Sequence, residues 1–347
     1  MKILKYMLIF IPISFIAKFL NASNSLMFIL SCLSIIPLAG LMGESTEEIS
    51  FYSGPKIVGF LNGTFGNATE LIISFFALKE GLFDVVKSSI AGSVIGNILL
   101  VLGASMLAGG LKYKTQTFNK NVIDTSSSML LFAIIGLCIP ALFTHTVDSN
   151  LLNTRYEGLS IFVALIMIII YILSLIFSFN THKDIYNITH ESDGSAKWSL
   201  KKAILILIIS TIIIAIESEF LVNGIESITQ SLKWSEFFVG IIVIPIIGNA
   251  AEHSTAIIMA RKNKMDVSLE IVIGSSLQII LFIAPILIFL SLFFIPMSIV
   301  FNKFELIALI SSVLIVNKVA NDGQSNWLEG VQLLAVYFII AASFFIL

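Results

Sequence analysis

Apolar stretches about the length of a bilayer follow one another along the whole chain, with only brief polar punctuation between them. A membrane-spanning helix needs about 20 mostly apolar residues, within a range of roughly 17 to 25. Eleven stretches meet that requirement, near residues 4–20, 26–50, 57–79, 86–109, 126–146, 156–179, 200–224, 236–260, 267–292, 298–318 and 327–346. Composition excludes the soluble alternative. The 347 residues are 57% hydrophobic and 12% charged, with a mean hydropathy of +1.00, whereas soluble domains carry about 25% charged residues. No tail or linker is long enough for a separate soluble domain. The expected fold is an all-α polytopic membrane protein dissolved in the lipid bilayer. The segment behind Lys2 and Lys5 reads as a first membrane helix rather than a signal peptide, because many spans follow it. Cys32 and Cys138 lie inside apolar runs and read as small packing residues, not as a disulfide or metal ligands.

Orientation follows from where the cations fall. With eleven spans, 14 of the 20 Lys and Arg residues lie on one side of the membrane and 6 on the other (14 + 6 = 20). Lys and Arg accumulate on the cytoplasmic side. The N-terminus is therefore expected in the cytoplasm and the C-terminus outside. Asn62-Gly63-Thr64 and Asn67-Ala68-Thr69 have the form of glycosylation sites but sit within an expected span, so they are discarded.

The chain also contains itself twice. Gly66-Asn67-Ala68-Thr69-Glu70 returns as Gly248-Asn249-Ala250-Ala251-Glu252, an offset of 248 − 66 = 182. Gly92-Ser93-Val94-Ile95 returns as Gly274-Ser275-Ser276-Leu277 at the same offset. The outer helices repeat in another register. Ser45-Thr46-Glu47 matches Glu217-Ser218-Glu219, and Glu157-Gly158 matches Glu329-Gly330, both at an offset of 172. A loop ten residues longer in the second half, around Ser231 to Glu236, would reconcile the first of these pairs with the core repeat. The expected organisation is an N-terminal extra helix (1–24), a first five-helix repeat (25–181), a cytoplasmic linker (182–198) and a second five-helix repeat (199–347). Five spans per repeat force the second copy to enter the membrane from the opposite side. Inverted repeats of this kind mark secondary transporters, whose sites lie at the repeat interface near the midplane.

Within each motif the spacing has chemical content. Asn67 and Glu70 are three residues apart, as are Asn249 and Glu252 and also Ser275 and Gln278, so each pair shares a helix face. Gly66, Gly248 and Pro245 weaken the helix just before the acids. They would let backbone carbonyls open toward a cavity, which a membrane tolerates only where protein or water satisfies them. Carboxylates, amide oxygens, hydroxyls and carbonyls form a hard-oxygen shell suited to Ca²⁺. No thiolate set is present, and a lone His253 does not make a zinc site. An ionised acid at a helix centre costs about 2.5–3.5 kcal/mol on insertion scales, and two facing acids repel each other. They are expected to hold either protons or a divalent cation, which gives proton-coupled exchange directly. Glu47, Glu48, Glu217 and Glu219 form a second acidic group, read either as lining a proton or cation pathway or as solvated helix ends. Ser93 and Ser275 stand either in the site or in helix packing.

At these motifs the chain resembles the calcium/proton antiporters of the calcium/cation antiporter superfamily. The resemblance rests on residues 66–81, 92–110 and 245–285, above all on Gly248-Asn249-Ala250-Ala251-Glu252-His253, Lys264-Met265-Asp266 and Gly274-Ser275-Ser276-Leu277-Gln278. It implies ten core helices in two inverted repeats after one extra helix. It also implies that Glu70 and Glu252 bind the ion beside Asn67 and Asn249, while Ser93, Ser275 and Gln278 complete a polar cavity. Glu47 and Glu219 match acidic positions associated with ion or proton passage, and His253 is grouped with them. Gly96 stands where many eukaryotic relatives have Ser, and the 182–198 connection is short and only mildly acidic. These departures favour a bacterial-type member in the cell membrane over a vacuolar one. The resulting expectation is a Ca²⁺/H⁺ antiporter expelling Ca²⁺ from the cytoplasm, with Ca²⁺ as cargo and no resident cofactor. A sodium-driven calcium exchanger and an antiporter preferring another divalent cation, such as Mn²⁺, are the nearest alternatives; a channel is a further one. No His-Glu-x-x-His, Ser/His or Asp/Asp arrangement points to an enzyme. Nothing points to nucleic acid, and a homo-oligomer is compatible with this reading.

Overall fold

The computed structural model describes residues 2–53, 61, 64–143, 152–182 and 196–346. They are mostly helical. In chain order the helices are α1 (Lys2–Met7), α2 (Phe10–Phe19), α3 (Asn24–Ser50), α4 (Ala68–Lys79), α5 (Phe83–Tyr113), α6 (Lys120–Phe143) and α7 (Leu152–Ile176). They continue with α8 (Leu200–Leu232), α9 (Glu236–Gly248), α10 (Ala250–Arg261), α11 (Met265–Ser291), α12 (Lys303–Val319) and α13 (Trp327–Ile346). Among the described residues, eight helices are long and apolar enough to cross a membrane, and the bent pair α9–α10 makes up to nine. The chain is a polytopic helical membrane protein.

Several expected spans change form. The 4–20 stretch is two helices, α1 and α2, and α2 has only 10 residues. The 57–79 span is seen as α4, while residues 54–60 and 62–63 lie outside the described residues, as does most of the 182–198 linker (183–195). The 298–318 span starts late, at Lys303. Pro296 lies in the non-helical stretch before it. The non-helical backbone that follows is satisfied by side chains. The Met297 amide donates to Ser291 Oγ (2.9 Å) and the Ile299 amide to Ser160 Oγ (3.0 Å). α12 then opens on a capping box, with Asn302 Oδ1 accepting from the Glu305 amide (2.8 Å) and Glu305 Oε2 from the Asn302 amide (2.9 Å). Two short antiparallel strands, β1 (Thr115–Thr117) and β2 (Gln324–Asn326), are the one departure from all-α among the described residues. Three residues are too few to leave a period-2 signal in the sequence.

Helix boundaries repeat as the motifs do. The ends of α3 and α8 differ by 232 − 50 = 182, the starts of α4 and α10 by 250 − 68 = 182, and those of α5 and α11 by 265 − 83 = 182. Wide π-helical turns interrupt α5 at Gly96–Val101 and α11 at Ile279–Ile283. The longer loop expected around Ser231 to Glu236 is not there. α8 runs through Ser231 to Leu232, and Lys233 in the left-handed conformation (φ 55°) turns the chain toward the N-cap Ser235. The ten extra residues are helix: Glu219 lies 232 − 219 = 13 residues before the end of α8, Glu47 only 50 − 47 = 3 before the end of α3.

The chain divides into two compact units, and each draws on both halves of the sequence. The first unit comprises Met1–Ser89 and Thr189–Glu252. α3 and α8 pack along each other, burying Leu38, Met42, Leu207 and Ile214. Their closest approach is at Gly224, where a Cβ would lie 2.7 Å from the Asn24 carbonyl oxygen. At the far end, buried Glu48 accepts from the Lys197 (2.8 Å) and Trp198 (2.9 Å) amides just before α8, where a carboxylate also complements the helix dipole. The second unit comprises Ile90–Ile188 and His253–Ile346. Its α5 and α13 meet through glycine backbones. A Cβ on Gly330 would lie 2.5 Å from the Leu107 amide nitrogen and 2.6 Å from the Gly103 oxygen. Small residues permit this kind of approach between membrane helices.

Candidate functional site

In the first unit, helix breaks bring two acids together. Gly66 and Asn67 form a non-helical turn before α4, and Glu70 lies in the first turn of that helix. Asn249, with φ −97° and ψ 7°, separates α9 from α10, and the two helix axes bend by 63° there. Glu252 falls in the first turn after that break. Pro245 stabilises the geometry by supplying the carbonyl that accepts from the Asn249 backbone amide (3.0 Å) and from its Nδ2 (3.3 Å). Sequence reading draws one span over 236–260 and expects Pro245 and Gly248 to weaken the helix before the acid; the break at Asn249 bears out that weakening and divides the span into α9 and α10.

Both acids start their helices, where backbone N–H groups have no intrahelical partner and the dipole favours negative charge. Glu70 is 2% exposed, and neither of its carboxylate oxygens has a hydrogen-bond partner of ordinary geometry. The charge of Glu252 and the side-chain amide of Asn249 bear on it directly. Gly248 forms one wall: a Cβ there would sit 2.6 Å from Glu70 Oε1 and 3.0 Å from its Cδ. The requirement for glycine is thus a close approach between backbone and carboxylate. Asn67 and Asn249 are fully buried beside their breaks. The result is a pair of coupled carboxylates with buried amides nearby, a hard-oxygen set that offers no soft ligand. Such a set can neutralise its charge with a divalent cation or with protons.

In the second unit, His253 Nε2 lies 3.1 Å from Asn97 Oδ1, and Asn97 Nδ2 donates to Ser275 Oγ (3.1 Å). The Asn97 amide thus bridges the imidazole and the Ser275 hydroxyl. Asn97 is buried within the π-helical turn of α5, a feature frequent at functional sites. Sequence reading passes over Asn97, although Gly96-Asn97 is a third Gly-Asn pair beside Gly66-Asn67 and Gly248-Asn249. The structure therefore joins Ser275 to His253 through a residue the repeat does not mark. Ser93 is buried and Gln278 half-buried, each one turn or less before a π-helical turn.

The second acidic group divides. Glu47 and Glu219 are exposed, whereas Glu48 and Glu217 are buried. Neither of the readings offered for this group describes Glu48, which anchors the chain entering α8.

Comparison with known proteins settles the family. The model of the sodium/calcium exchanger protein family matches residues 23–180 and 202–346. The chain belongs to that family. It is 46% identical to a Ca²⁺/H⁺ antiporter, ChaA, of Bacillus subtilis, covering 97% of both chains. It is also 46% identical to a Ca²⁺/H⁺ antiporter of Aphanothece halophytica, covering 98% of this chain and 95% of the relative. Among solved structures, the Ca²⁺/H⁺ antiporter protein YfkE superposes with a TM-score of 0.86 at 42% identity, covering 100% of each chain. The resemblance read from the motifs is thereby confirmed at the level of family and superfamily.

The Gly248 wall yields a direct expectation. Gly248→Ala should displace the Glu70 carboxylate and weaken Ca²⁺ binding at least roughly tenfold, about 1.4 kcal/mol. Calorimetric titration of the purified variant measures this, and an unchanged affinity would show that the carboxylate does not bind from its observed position.

Proposed function

We propose that this family member is a secondary active transporter that exchanges cytoplasmic Ca²⁺ for external protons by alternating access, with Glu70 and Glu252 binding either Ca²⁺ or H⁺. The observation that carries the site is the pair itself: two acids at equivalent repeat positions, coupled in one unit, with Glu70 buried and the Asn249 amide beside its carboxylate. Ca²⁺ takes six to eight oxygen ligands. Asn67 and Asn249 and the carbonyls freed at Gly66 and Gly248 are proposed to supplement the carboxylates, with Ser93, Ser275 and Gln278 as further polar ligands. The function draws its support from close relatives that are named Ca²⁺/H⁺ antiporters.

The remaining assignments belong to the same reading. Eleven spans, comprising one extra helix and two inverted five-helix repeats, are supported by the 182-residue recurrence of motifs and helix boundaries. An odd number of spans per repeat inverts the second copy. Exposed carboxylates within helices of membrane length avoid lipid only where their surface lines water. Glu47 and Glu219 are accordingly proposed on an aqueous ion or proton pathway, with His253, paired with Asn97, as a further candidate. The protein is placed in the cell membrane, with its N-terminus cytoplasmic and its C-terminus external.

Two experiments test this. ⁴⁵Ca²⁺ uptake into proteoliposomes should require an imposed pH gradient and saturate with Ca²⁺. Glu70→Gln and Glu252→Gln should each lower it by at least roughly a hundredfold, about 2.7 kcal/mol, while the protein still folds and inserts. Near-normal exchange by either variant would remove that glutamate from the site, and uptake driven by sodium instead of protons would favour a sodium-coupled exchanger. For topology, single cysteines placed at the two ends of a cysteine-free chain are labelled in intact cells with an impermeant thiol reagent. Labelling at the C-terminal end alone is expected; labelling at the N-terminal end alone would reverse the orientation.

A further inference from the structure

Away from the Glu70–Glu252 pair, the first unit encloses another acid. Glu217 on α8 is fully buried, and no charged side chain among the described residues bears on it. Three hydroxyls surround its carboxylate: Ser14 from α2 and Ser31 and Ser34 from α3, all fully buried. Ser14 makes a direct hydrogen bond to Glu217 Oε1 and also lies 2.8 Å from the Ile11 carbonyl oxygen. Glu217 Oε2 and the Ser31 and Ser34 hydroxyls are enclosed without a hydrogen-bond partner of ordinary geometry.

Ser31 and Ser34 differ from several other hydroxyls nearby. In the same two long helices, Ser45 and Thr46 donate to the carbonyls of Leu41 and Met42, and Ser210 and Thr211 to those of Ile206 and Leu207. Ser31 and Ser34 forgo that local bond and face the acid instead. Hydroxyl donors directed at a carboxylate favour its charged form. Full burial penalises an uncompensated charge. A bound cation meets both demands, since the Ser31 and Ser34 oxygens each keep a lone pair for the ion while their hydrogens face the carboxylate. With one negative charge available, a monovalent ion leaves the site neutral, whereas a divalent ion would leave a buried positive charge. The donors are the two carboxylate oxygens, three hydroxyls and the Ile11 carbonyl, all hard oxygens.

We propose that Glu217, Ser14, Ser31, Ser34 and the Ile11 carbonyl form a buried sodium site that fastens the N-terminal helix α2 to α3 and α8. Phe15 and Phe220, edge to face at 6.1 Å, and Lys18, 5.2 Å from the Phe220 ring centroid, complete the α2–α8 contact on its apolar side. The site is separate from the exchanged ion: its occupancy would hold the first unit together rather than move cargo.

The test uses the purified full-length protein. Its thermal unfolding midpoint is measured against sodium, with N-methylglucamine as replacement cation, at fixed pH and ionic strength. A ligand that binds only the folded state raises the midpoint with concentration. The wild type should show such a saturable rise. Glu217→Gln should abolish it, and joint Ser31→Ala and Ser34→Ala substitution should raise the half-effective sodium concentration roughly tenfold or more. Glu252→Gln should retain the rise, because that carboxylate is not part of the site. If Glu217→Gln does not fold, the double serine variant decides. A sodium effect that is retained in Glu217→Gln, or not shifted in the double serine variant, would overturn the proposal, and its loss in Glu252→Gln would place sodium at the carboxylate pair. No sodium effect in the wild type would overturn it as well. A pH effect dependent on Glu217 in that case would show that the acid holds a proton only.

Discussion

Carboxylates enclosed in a helical membrane protein need a compensating charge, and the arrangement around Glu70 and Glu252 follows from that need. The two acids bear on one another, and Glu70 is closed off from solvent. Charge of this density is costly in an apolar surround. It persists only if something that can enter and leave supplies the neutralisation. Protons and a divalent cation both can, and neither can be present in full while the other is. A site contested in this way would couple the two fluxes once the alternating access proposed above opens it to one side at a time.

The backbone supplies the geometry. A continuous helix would bury its N–H groups in its own ladder; the breaks at Asn67 and Asn249 place each acid in the first turn of a new helix. Gly248 then lets the α9 backbone approach Glu70 more closely than any residue with a Cβ allows. In the second unit, the π-helical turn that carries Asn97 connects His253 to Ser275. In both units, irregular backbone coincides with buried polar side chains, Asn249 in the first and Asn97 in the second. The long α3 and α8 serve differently, as a frame pinned by Glu48 at one end and packed at Gly224 near the other.

Much of this was legible in the sequence, because membrane helices and repeats are written in one dimension. Apolar length located the helices, and the recurrence of Gly-Asn-Ala-x-Glu identified the acids that the structure brings together. Features set by tertiary contact were not legible. At Asn249 the weakening was legible in Pro245 and Gly248, but the 63° angle between α9 and α10 was not. The late start of α12 depends on Ser160, 139 residues away from the amide it accepts. Asn97 escaped because its counterpart at the 182 offset is Ile279, so the repeat gave it no weight. Among these four acids, spacing could not separate buried Glu48 and Glu217 from exposed Glu47 and Glu219, nor show that Glu217 and Glu219 lie well inside α8. One residue of helical rotation, or two, decides between a packed face and an open one.

The central claim is that Ca²⁺ and protons compete for the same carboxylates. Calorimetric titration of Ca²⁺ in buffers of different ionisation enthalpy counts the protons released per ion bound. Ligands must be deprotonated to hold the metal, so binding should release protons. Apparent affinity should also weaken as pH falls, because protons then occupy the carboxylates. The expected result is a proton count above zero that is lost, together with Ca²⁺ binding, in Glu70→Gln. A count of zero throughout the pH range of binding would show that protons travel elsewhere, and would contradict direct competition.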